Sequence, residues 1–431
     1  MRIYDLIEKK KKRLALNKEE IAFFIDGIMS GKIKDYETTA LLTAICLCGM
    51  TMEETFELTM QMAHSGDVMN YNTVKGIVVD KHSTGGVSDT TTLIVVPILA
   101  SIGLKVAKMS GGSLGFTGGT ADKLKVFSGY NLNLSEEEFL NTINRVGASI
   151  IAPNKNLAPA DKILYELRHL TANVESIPLI ASSIMSKKLA SNADIIVLDV
   201  KFGSGAFMKT LKDATLLAKT MVEIGKRANK KVSAILTSMD EPLGSSIGNQ
   251  LEVKNAIEVL NGKRNNLGLV SKRLVEEILF LSGYDVKQIK KAIDDAILSG
   301  NALLKLQEMV RAHGGDDLLI SRMELMKKPK YKQEILSNQE GFVSSIQTAE
   351  LGKIVALLGG AKQEKNGTVD NTVGIELFVH LGSKVSKGEK IATIYYNKKE
   401  EIEEIVKQFE KTIIIEKQKR NKQKLIRLVI R

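Results

Sequence analysis

The chain has 431 residues, of which 44% are hydrophobic and 26% charged, and its formal net charge is +11. These values are ordinary for a soluble globular protein of two or three domains. The sequence contains no apolar stretch of about 18 residues or more, so we expect no membrane span. The region 411–431 holds eight Lys or Arg residues against Glu416, which indicates a solvated surface; because it lacks interleaved aromatic residues, we expect no nucleic-acid partner.

The first 65 residues have the pattern of a small helical bundle. Capping-box sequences begin at Asn17 and Thr51, and they predict helix starts near residues 18 and 52. Gly66 suits the left-handed position that follows the end of a helix. We therefore expect the last helix of this bundle to end at about residue 65.

Two features of this region predict a cytoplasmic location. The charged run 8–13 near the N-terminus lacks the apolar core of a signal peptide. Cys46 and Cys48 lie two apart in an apolar helical pattern and therefore on different helix faces, and two cysteines are too few for a closed zinc site. We interpret them as reduced core residues, which are typical of a cytoplasmic protein.

The region 80–92 predicts an anion-binding loop. The apolar run 76–79 before it predicts a buried strand, and the apolar stretch after it predicts a helix. Its two glycines let the backbone approach a ligand, and free N–H groups at a helix start attract negative charge. Lys81 adds a positive charge, and His82, interpreted as part of the loop, is a candidate proton donor near neutral pH. The alternative is a Ser/Thr-rich turn with a chance histidine.

A second loop of the same kind occupies 108–122. It follows the short strand candidate 105–107 and contains five glycines and four hydroxyl residues, with a lysine at its entry. Because ligands of open α/β sheets bind beyond the carboxyl ends of strands, two such loops predict one shared site. Neither loop fits the glycine patterns of dinucleotide-binding or nucleoside-triphosphate-binding folds, so we disfavour both classes of fold.

The rest of the chain alternates between helical and sheet patterns. One helix is predicted to begin at Pro159, and the next carries Ser183 and Lys187 at i and i+4, hence on one face. The run 195–200, which is apolar apart from Asp199, predicts a strand of a sheet covered on both sides. From about 340 the pattern becomes β, and the Gly-x-x-Val-x-x-Gly spacing at 382–388 resembles the turns of lipoyl-type hammerhead domains.

Seven stretches carry a common pattern. They are 81–87, 117–120, 159–162, 176–188, 197–201, 203–208 and 251–254. Together they resemble the pyrimidine nucleoside phosphorylase and thymidine phosphorylase family over nearly the whole chain. The resemblance implies a homodimeric salvage enzyme that converts uridine, deoxyuridine and thymidine with phosphate to free base and pentose 1-phosphate, without a nucleic-acid or membrane partner. The chain departs from the family pattern at Gly112, Ser113, Phe116 and Lys125.

The same resemblance implies an α/β plus α fold. It consists of a small discontinuous helical domain and a larger mixed α/β domain with a C-terminal β-rich, hammerhead-like subdomain. The implied limits are 1–66 and 158–191 for the helical domain, 67–157 and 192–335 for the α/β domain, and 336–431 for the β-rich part. The order helix, sheet, helix, sheet is natural for such a discontinuous pair.

By resemblance, the residues of the two loops bind phosphate. They are Lys81, Ser83, Thr92, Lys108, Met109, Ser110 and Thr120. Arg168 and Lys187 meet the base, with Tyr165 and Ser183 as further base-pocket residues. A guanidinium offers a planar fork of donors and stays charged, so it suits a leaving group that gains negative charge. The predicted catalytic residues are His82, Arg168 and Lys187, although residue type alone would make the two cations exposed surface residues.

The resemblance also implies a potassium ion near the hinge. Its implied positions are Ser88, Thr90, Leu243, Ser246 and Asn255. Hard cations prefer oxygen ligands, but the family usually has a carboxylate where this chain has Asn255. We therefore expect weak potassium binding or none, unless Glu252, three residues away, compensates. No organic cofactor is expected, and inorganic phosphate is the co-substrate.

Four other functions stay open at this point. The first is a strict thymidine phosphorylase, and the second an anthranilate-type phosphoribosyltransferase, which shares the architecture but needs magnesium and an acidic pair whose motifs are missing from the sequence. The third is a binding protein that has lost catalysis, suggested by Gly112, Ser113 and Phe116. The fourth, from the basic tail, is a nucleic-acid module.

Overall fold

The structure is a computed structural model that describes residues 1–112, 118–361, 367–419 and 424–431. Its helices are α1 (Ile3–Lys11), α2 (Lys18–Met29), α3 (Asp35–Cys48), α4 (Met52–Ala63), α5 (Thr92–Ile102), α6 (Thr120–Leu124), α7 (Glu136–Val146), α8 (Pro159–Leu170), α9 (Ile177–Ala190), α10 (Leu211–Arg227), α11 (Asn249–Leu260), α12 (Asn266–Leu281), α13 (Val286–Leu298), α14 (Asn301–Ala312), α15 (Leu318–Ser321), α16 (Thr348–Val355) and α17 (Ile402–Glu410). Its strands are β1 (Val78–Ser83), β2 (Lys105–Met109), β3 (Ala148–Ile151), β4 (Ile195–Phe202), β5 (Lys231–Ser238), β6 (Ser246–Ile247), β7 (Tyr331–Leu336), β8 (Gly341–Ile346), β9 (Gly374–Leu377), β10 (Lys384–Val385), β11 (Lys390–Tyr396), β12 (Ile413–Glu416) and β13 (Ile426–Ile430).

The N-terminal helices form the predicted bundle. Asn17 and Thr51 cap α2 and α4, because their side chains accept hydrogen bonds from the backbone N–H groups of Glu20 and Glu54. The predicted helix starts near 18 and 52 are therefore confirmed. Apolar residues of α8 and α9 join those of the first four helices in one core, so the helical domain is built from two separate stretches of chain. Among the described residues, no helix combines the length and apolar character that crossing a bilayer requires.

The main sheet has the strand order β13-β5-β4-β1-β2-β3, and β13 is antiparallel to β5 while the other pairs are parallel. One apolar core lies between the sheet and helices including α5, α12 and α14, and another lies on the side of α9 and α10. This double cover explains why 195–200 is apolar apart from Asp199, whose buried carboxylate is paired with Lys81 and Lys201. The chain runs from β1 outward to β3 and then resumes at β4 on the other side of β1. The order therefore reverses beside β1, where open α/β sheets bind ligands.

The strand β1 differs from the sequence prediction. The apolar run 76–79 predicts a strand that ends before the polar residues, but β1 covers Val78–Ser83. Lys81 and His82 therefore belong to a strand and not to a loop. The reason is that Asp80 and Lys81 are each paired with opposite charges from other elements. Buried charges that are paired can lie inside a sheet.

The C-terminal part forms two small sheets, β6-β9-β11-β7 and β10-β8-β12, which share one apolar core. The predicted limit at 335/336 falls inside β7, and β6 joins this part from the preceding segment. The fold class, a helical domain with an α/β domain and a C-terminal β-rich part, is confirmed.

The strand β13 belongs to the main sheet, although the predicted β-rich segment 336–431 includes its residues. It pairs with the edge of β5 in the main sheet. The Arg431 side chain beside it donates hydrogen bonds to Glu277 of α12 at 2.7 and 3.0 Å and lies 4.1 Å from the ring centroid of Phe280. An uncovered sheet edge presents unpaired backbone groups, which this strand satisfies on β5. Part of the basic C-terminal region is therefore structural.

Three connections of the chain cross between the helical domain and the sheet, and they are hydrogen-bonded side by side. The backbone N–H of Asp67 donates to the carbonyl of Asn156 at 2.9 Å, and that of Met69 donates to the carbonyl of Ala190 at 2.9 Å. Gly66 lies so close to Asn156 that a Cβ atom at this position would overlap its carbonyl oxygen. These bonds join the two domains, which are also in contact where α4 and α9 pack against α10 and the sheet in one apolar core.

Candidate active site

A cavity of about 810 Å³ lies at the carboxyl ends of β1 and β2, between the sheet and helices α8 and α9. Eleven of the twelve predicted catalytic, phosphate and base residues line it. They are His82, Ser83, Thr92, Lys108, Met109, Ser110, Thr120, Tyr165, Arg168, Ser183 and Lys187. The structure therefore brings the two loops and the two helices together around one space.

Lys81 is the predicted phosphate residue that does not line this cavity. Its ammonium group donates to the Thr91 hydroxyl at 2.5 Å and lies 3.6 Å from the carboxylate of Asp199. The side chain is 1% exposed. Lys81 alternates with His82 along β1, so the two side chains leave the strand on opposite faces. Lys81 thus adds positive charge from beneath the cavity and does not contact a ligand in this arrangement.

Buried charges surround the ends of the central strands. The positive groups are Lys81, Lys108, Lys188 and Lys201, and the negative groups are Asp80, Asp89 and Asp199. When all are ionised, one positive charge is in excess. Because charges act more strongly away from bulk water, this excess favours an anion at this end of the cavity.

Asp80 joins the two lysines nearest to the phosphate loops. Its carboxylate lies 2.6 Å from the ammonium of Lys188 and 3.5 Å from that of Lys108. Burial alone would raise the pKa of Asp80, but the two lysines outweigh it and hold the pKa below its ordinary value. Burial lowers the pKa of Lys108 to about 7, and the carboxylate of Asp80 opposes this only in part. Lys108 can therefore gain or lose its charge near neutral pH.

Sequence reasoning missed Lys188, although it stands next to Lys187 on α9. Neighbouring residues of a helix point in different directions, so Lys187 faces the cavity wall at α8 while Lys188 reaches the sheet and Asp80. The predicted strand ended at residue 79, so nothing in the sequence indicated that Asp80 lies inside a strand and requires a buried cation as a partner.

Asp89 is a second missed residue of the phosphate end. Its carboxylate accepts hydrogen bonds from the hydroxyl groups of Ser83 at 2.5 Å and Thr91 at 2.6 Å. Burial would raise the pKa of Asp89, but Lys201 and Lys81 outweigh it and lower the pKa strongly. Asp89 is therefore an ionised acceptor that fixes the direction of the hydroxyl groups in the first loop.

His82 leaves β1 on the same face as Asp80 and is half-buried at the cavity wall. Burial lowers the pKa of His82 well below its ordinary value, and the nearby lysines, of which Lys188 and Lys108 act most strongly, lower it further. The expectation that His82 titrates near neutral pH is therefore wrong for this arrangement. The imidazole is neutral in the free protein, and it offers one N–H donor to a ligand.

Arg168 lies at the opposite end of the cavity, on α8. Its guanidinium donates to the backbone carbonyls of Asn173 at 3.0 Å, Leu179 at 3.0 Å and Val174 at 2.7 Å. The prediction from residue type alone, an exposed surface cation, is wrong, because Arg168 is 4% exposed. Burial lowers its pKa, but a guanidinium stays charged in proteins. Three of its five N–H groups are used, so two are left for a ligand.

Lys187 lies beside Arg168 on α9. Its ammonium group forms an ion pair with the carboxylate of Asp161 and donates to the hydroxyl of Ser183 at 3.1 Å. The i, i+4 relation that the sequence predicts therefore produces a direct contact. Tyr165 is more exposed and stacks on His169 at the rim, with ring centroids 6.3 Å apart. The arrangement places two fixed cations at one end of the cavity and the phosphate loops at the other.

The remaining predicted positions lie away from this cavity or outside the described residues. The five potassium positions do not line the cavity. Within the described ranges, no three His, Cys, Asp or Glu side chains converge as a metal site. Gly112 lines the cavity, whereas Ser113 and Phe116, where the chain departs from the family pattern, lie outside the described residues.

Three family models match the chain. They are the glycosyl transferase family helical bundle domain at residues 4–66, the glycosyl transferase family a/b domain at 75–303 and the pyrimidine nucleoside phosphorylase C-terminal domain at 342–416. The chain is 46% identical over 406 residues to pyrimidine-nucleoside phosphorylase of Geobacillus stearothermophilus, covering 93% of each chain. The chain belongs to the pyrimidine-nucleoside phosphorylase family. The resemblance drawn from the sequence motifs is thereby confirmed.

Other relatives agree with this family membership. Pyrimidine-nucleoside phosphorylase of Staphylococcus haemolyticus is 44% identical over 421 residues and covers 97% of each chain. Among solved structures, anthranilate phosphoribosyltransferase from Thermus thermophilus aligns with a TM-score of 0.59 over 72% of this chain and 99% of that chain. At 16% identity this likeness shows a common fold and nothing about the reaction.

Proposed function

We propose that this chain catalyses the phosphorolysis of pyrimidine nucleosides to free base and pentose 1-phosphate. The observation that carries the proposal is the cavity, which has lysine and hydroxyl loops at one end and a buried guanidinium with a half-buried ammonium group at the other. The names of its relatives, pyrimidine-nucleoside phosphorylases that are 42–46% identical to the chain over most of its length, support the same reaction.

The phosphate end supplies the nucleophile. A phosphate oxygen forms a bond to the sugar C1′ while the bond from C1′ to the pyrimidine nitrogen breaks, and the electron pair leaves with the base. Lys108 and the hydroxyl groups of Ser110 and Thr120 are positioned to hold the anion. Holding the anion against C1′ converts a bimolecular step into a nearly unimolecular one.

The base end stabilises the leaving group. The pyrimidine gains negative charge on its ring nitrogen and carbonyl oxygen as the glycosidic bond breaks. Arg168 and Lys187 are fixed in place before the reaction by backbone carbonyls and by Asp161, so they need little reorganisation. Fixed charges of this kind supply a large part of catalysis because they act where charge develops. The neutral His82 adds an N–H donor from the sheet side.

Water must stay out of the cavity while the bond breaks, because water would yield free sugar instead of sugar phosphate. The cavity lies between the sheet of one domain and helices α8 and α9 of the other, and backbone bonds of Asp67 and Met69 join the two domains. Closure of the helical domain over the sheet would exclude water and bring Lys187 nearer to the base.

We also propose a homodimer in the cytoplasm. Three large apolar side chains of the helical domain, Tyr4, Tyr36 and Leu47, are 63–74% exposed. Exposed apolar side chains on packed helices suit contact with a second copy of the same chain. Cys46 and Cys48 are free thiols, which suits a reducing compartment.

The proposed reaction predicts a specific substrate panel. Uridine, deoxyuridine and thymidine should each release free base only when phosphate is present, while inosine should not react at a comparable rate. The physical reason is that Arg168 and Lys187 face a small base that gains charge on a carbonyl edge. Base release and pentose 1-phosphate are measured by chromatography.

Two outcomes would change this proposal. Product without phosphate would indicate hydrolysis, and equal rates with inosine would contradict a pyrimidine pocket. If uridine reacts more than about a hundredfold more slowly than thymidine, a difference of roughly 2.7 kcal/mol in transition-state binding, the strict thymidine enzyme is the better description.

His82→Asn is expected to lower kcat/KM for uridine by less than about tenfold, below the range of a positioned general acid. The amide keeps an N–H donor, and the neutral imidazole has no charge to lose. The profile of kcat/KM, which reports groups of the free enzyme, should keep its shape between about pH 5.5 and 7.5, around the ordinary histidine pKa.

His82→Leu is the matched comparison, because it removes the donor at similar size, and it should lose more activity than His82→Asn. If wild-type kcat/KM changes with pH near the ordinary histidine pKa, and this change is lost in His82→Asn, then His82 is the proton donor.

A further inference from the structure

The positions at which the resemblance implies a potassium ion do not fit one in this chain. The Ser88 hydroxyl donates to the carbonyl of Ser246 at 2.5 Å and accepts from the backbone N–H of Gly244 at 3.1 Å. Ser88 adopts a φ of 61°, a left-handed conformation that costs energy for a residue other than glycine. The Ser88 hydroxyl thus donates its hydrogen bond to the Ser246 carbonyl oxygen, which a bound cation would need as a ligand.

The Asn255 amide is drawn into the same space. A Cβ atom on Gly244 would lie 2.8 Å from Asn255 Oδ1 and 2.9 Å from Ser88 Oγ, so both oxygens crowd one side of this glycine. Asn255 Oδ1 also accepts from the amide of Asn265 at 3.4 Å. The amide is neutral, so it brings no charge that would offset the loss of water from a bound cation.

Two carboxylates lie nearby, and each already has a cation. Glu258 Oε2 accepts from the Asn255 amide at 3.4 Å and lies 2.8 Å from the ammonium group of Lys263.

The second carboxylate is Glu252. The Lys123 ammonium lies 2.9 Å from Glu252 Oε2, and the Thr90 hydroxyl donates to the same oxygen at 2.8 Å. The other oxygen, Oε1, accepts from the backbone N–H of Gly248 at 3.1 Å. Lys123 and Glu252 are 1% and 3% exposed. Glu252 is therefore not available to compensate for the missing carboxylate at Asn255.

Lys123 also contacts both phosphate loops. Its ammonium donates to the carbonyl of Asp89 at 2.8 Å and to the carbonyl of Gly118 at 3.2 Å. The first carbonyl belongs to the loop after β1, and the second to the loop after β2. One fixed cation therefore ties the two loops to each other and, through Glu252, to α11.

We propose that the Lys123 ammonium and the Ser88 hydroxyl do the work of a bound monovalent cation, so that this enzyme holds its phosphate loops without potassium. Lys123 is then a positioning residue, which acts on phosphate through the loops it joins. The proposal rests on the proposed phosphorolysis, because phosphate kinetics is one of its measures.

The first test uses the unmodified protein. Phosphorolysis of uridine and the thermal midpoint are measured in potassium, sodium and tetramethylammonium chloride at equal ionic strength. A cation that binds only the folded state raises the thermal midpoint with its concentration. We expect the same midpoint and the same phosphate KM in all three salts. A potassium-specific rise in midpoint or fall in phosphate KM overturns the proposal, whereas inactivity in every salt contradicts the phosphorolysis itself.

The second test removes the ammonium group. Lys123→Ala should raise the phosphate KM by about ten- to a hundredfold, as expected for small displacements of binding groups, and change the uridine KM much less. Ethylammonium should restore phosphate binding in a concentration-dependent way, because it fits the vacated space and carries N–H donors. Tetramethylammonium, which has no donor, should not. Lys125→Ala is the control, since Lys125 is half-exposed and two residues away.

The third test makes the site fit potassium. Ser88→Gly combined with Asn255→Glu removes the hydroxyl, relieves the left-handed serine and adds a carboxylate. This double variant should acquire a thermal midpoint that rises with potassium, and its measurement does not depend on the stability of Lys123→Ala. An unchanged phosphate KM in a folded Lys123→Ala protein overturns the positioning role.

Discussion

Replacing Lys187 by methionine is expected to lower kcat for uridine by about 10² to 10³, the usual cost of removing one fixed donor from a site where charge develops. The ammonium lies beside Arg168 at the base end of the cavity and is held by Asp161 and Ser183. Because it acts mainly on the leaving group, kcat and kcat/KM should fall together. Steady-state rates of uracil release measure both.

A substrate with a better leaving group provides the sharper readout. 5-Fluorouracil carries negative charge more easily than uracil, so the deficit of Lys187→Met should be smaller with 5-fluorouridine than with uridine. An equal deficit with both substrates would show that Lys187 positions the nucleoside and does not stabilise charge.

Two control variants separate chemistry from folding. Lys187→Met leaves the Asp161 carboxylate buried without its cation, which destabilises proteins. The double variant with Asp161→Asn removes that charge and should regain thermal stability but not activity. Lys162→Met changes an exposed lysine next to Asp161 and should be neutral.

Lys108→Met is the second variant with a large expected effect, and it should act on phosphate. A charge-assisted hydrogen bond contributes about 1.5–3 kcal/mol, so kcat/KM for phosphate should fall by about ten- to 150-fold.

The pH dependence of the wild-type enzyme is a more specific test of the role of Lys108. The pKa of Lys108 is lowered to about 7, so its charge is present below that pH and is lost above it. When kcat/KM for phosphate is calculated from the concentration of the phosphate dianion at each pH, the wild-type value should decline as pH rises through about 7.

Lys108→Arg is the matched test of this titration. A guanidinium keeps its charge at these pH values, so the decline above neutral pH should disappear even if the variant is less active overall. A decline that persists unchanged in Lys108→Arg would assign the titration to another group of the site.

Local signals in the sequence predicted the elements whose determinants are local. Asn17 and Thr51 cap helices because a side chain and a backbone group three residues apart satisfy each other. The run 195–200 is apolar apart from Asp199 because both faces of β4 are covered, and this pattern is visible in the sequence alone. Such features need no knowledge of distant residues, and the structure matches them.

Features that depend on distant partners were predicted less well. The strand β1 extends through Asp80 because a lysine from α9, 108 residues later in the chain, neutralises it. The strand β13 looks like part of a charged surface until the unpaired edge of β5 is known. Pairing across such distances leaves no periodic trace in the sequence. Arg168 is a different case: its partners are the backbone carbonyls of Asn173 and Val174, which are near in sequence but show no side-chain pattern, so residue type alone predicts an exposed cation.

The hydrogen-bonded crossings between the two domains restrict how the cavity can open. Helices α4 and α9 also pack against α10 and the sheet in one apolar core, so any opening has to preserve that core as well as the backbone bonds of Asp67 to Asn156 and of Met69 to Ala190. Leu157 lies at the cavity wall beside these bonds, so distances near it change least. Substrate entry and water exclusion therefore depend on small displacements at the rim, which leave the shared core buried.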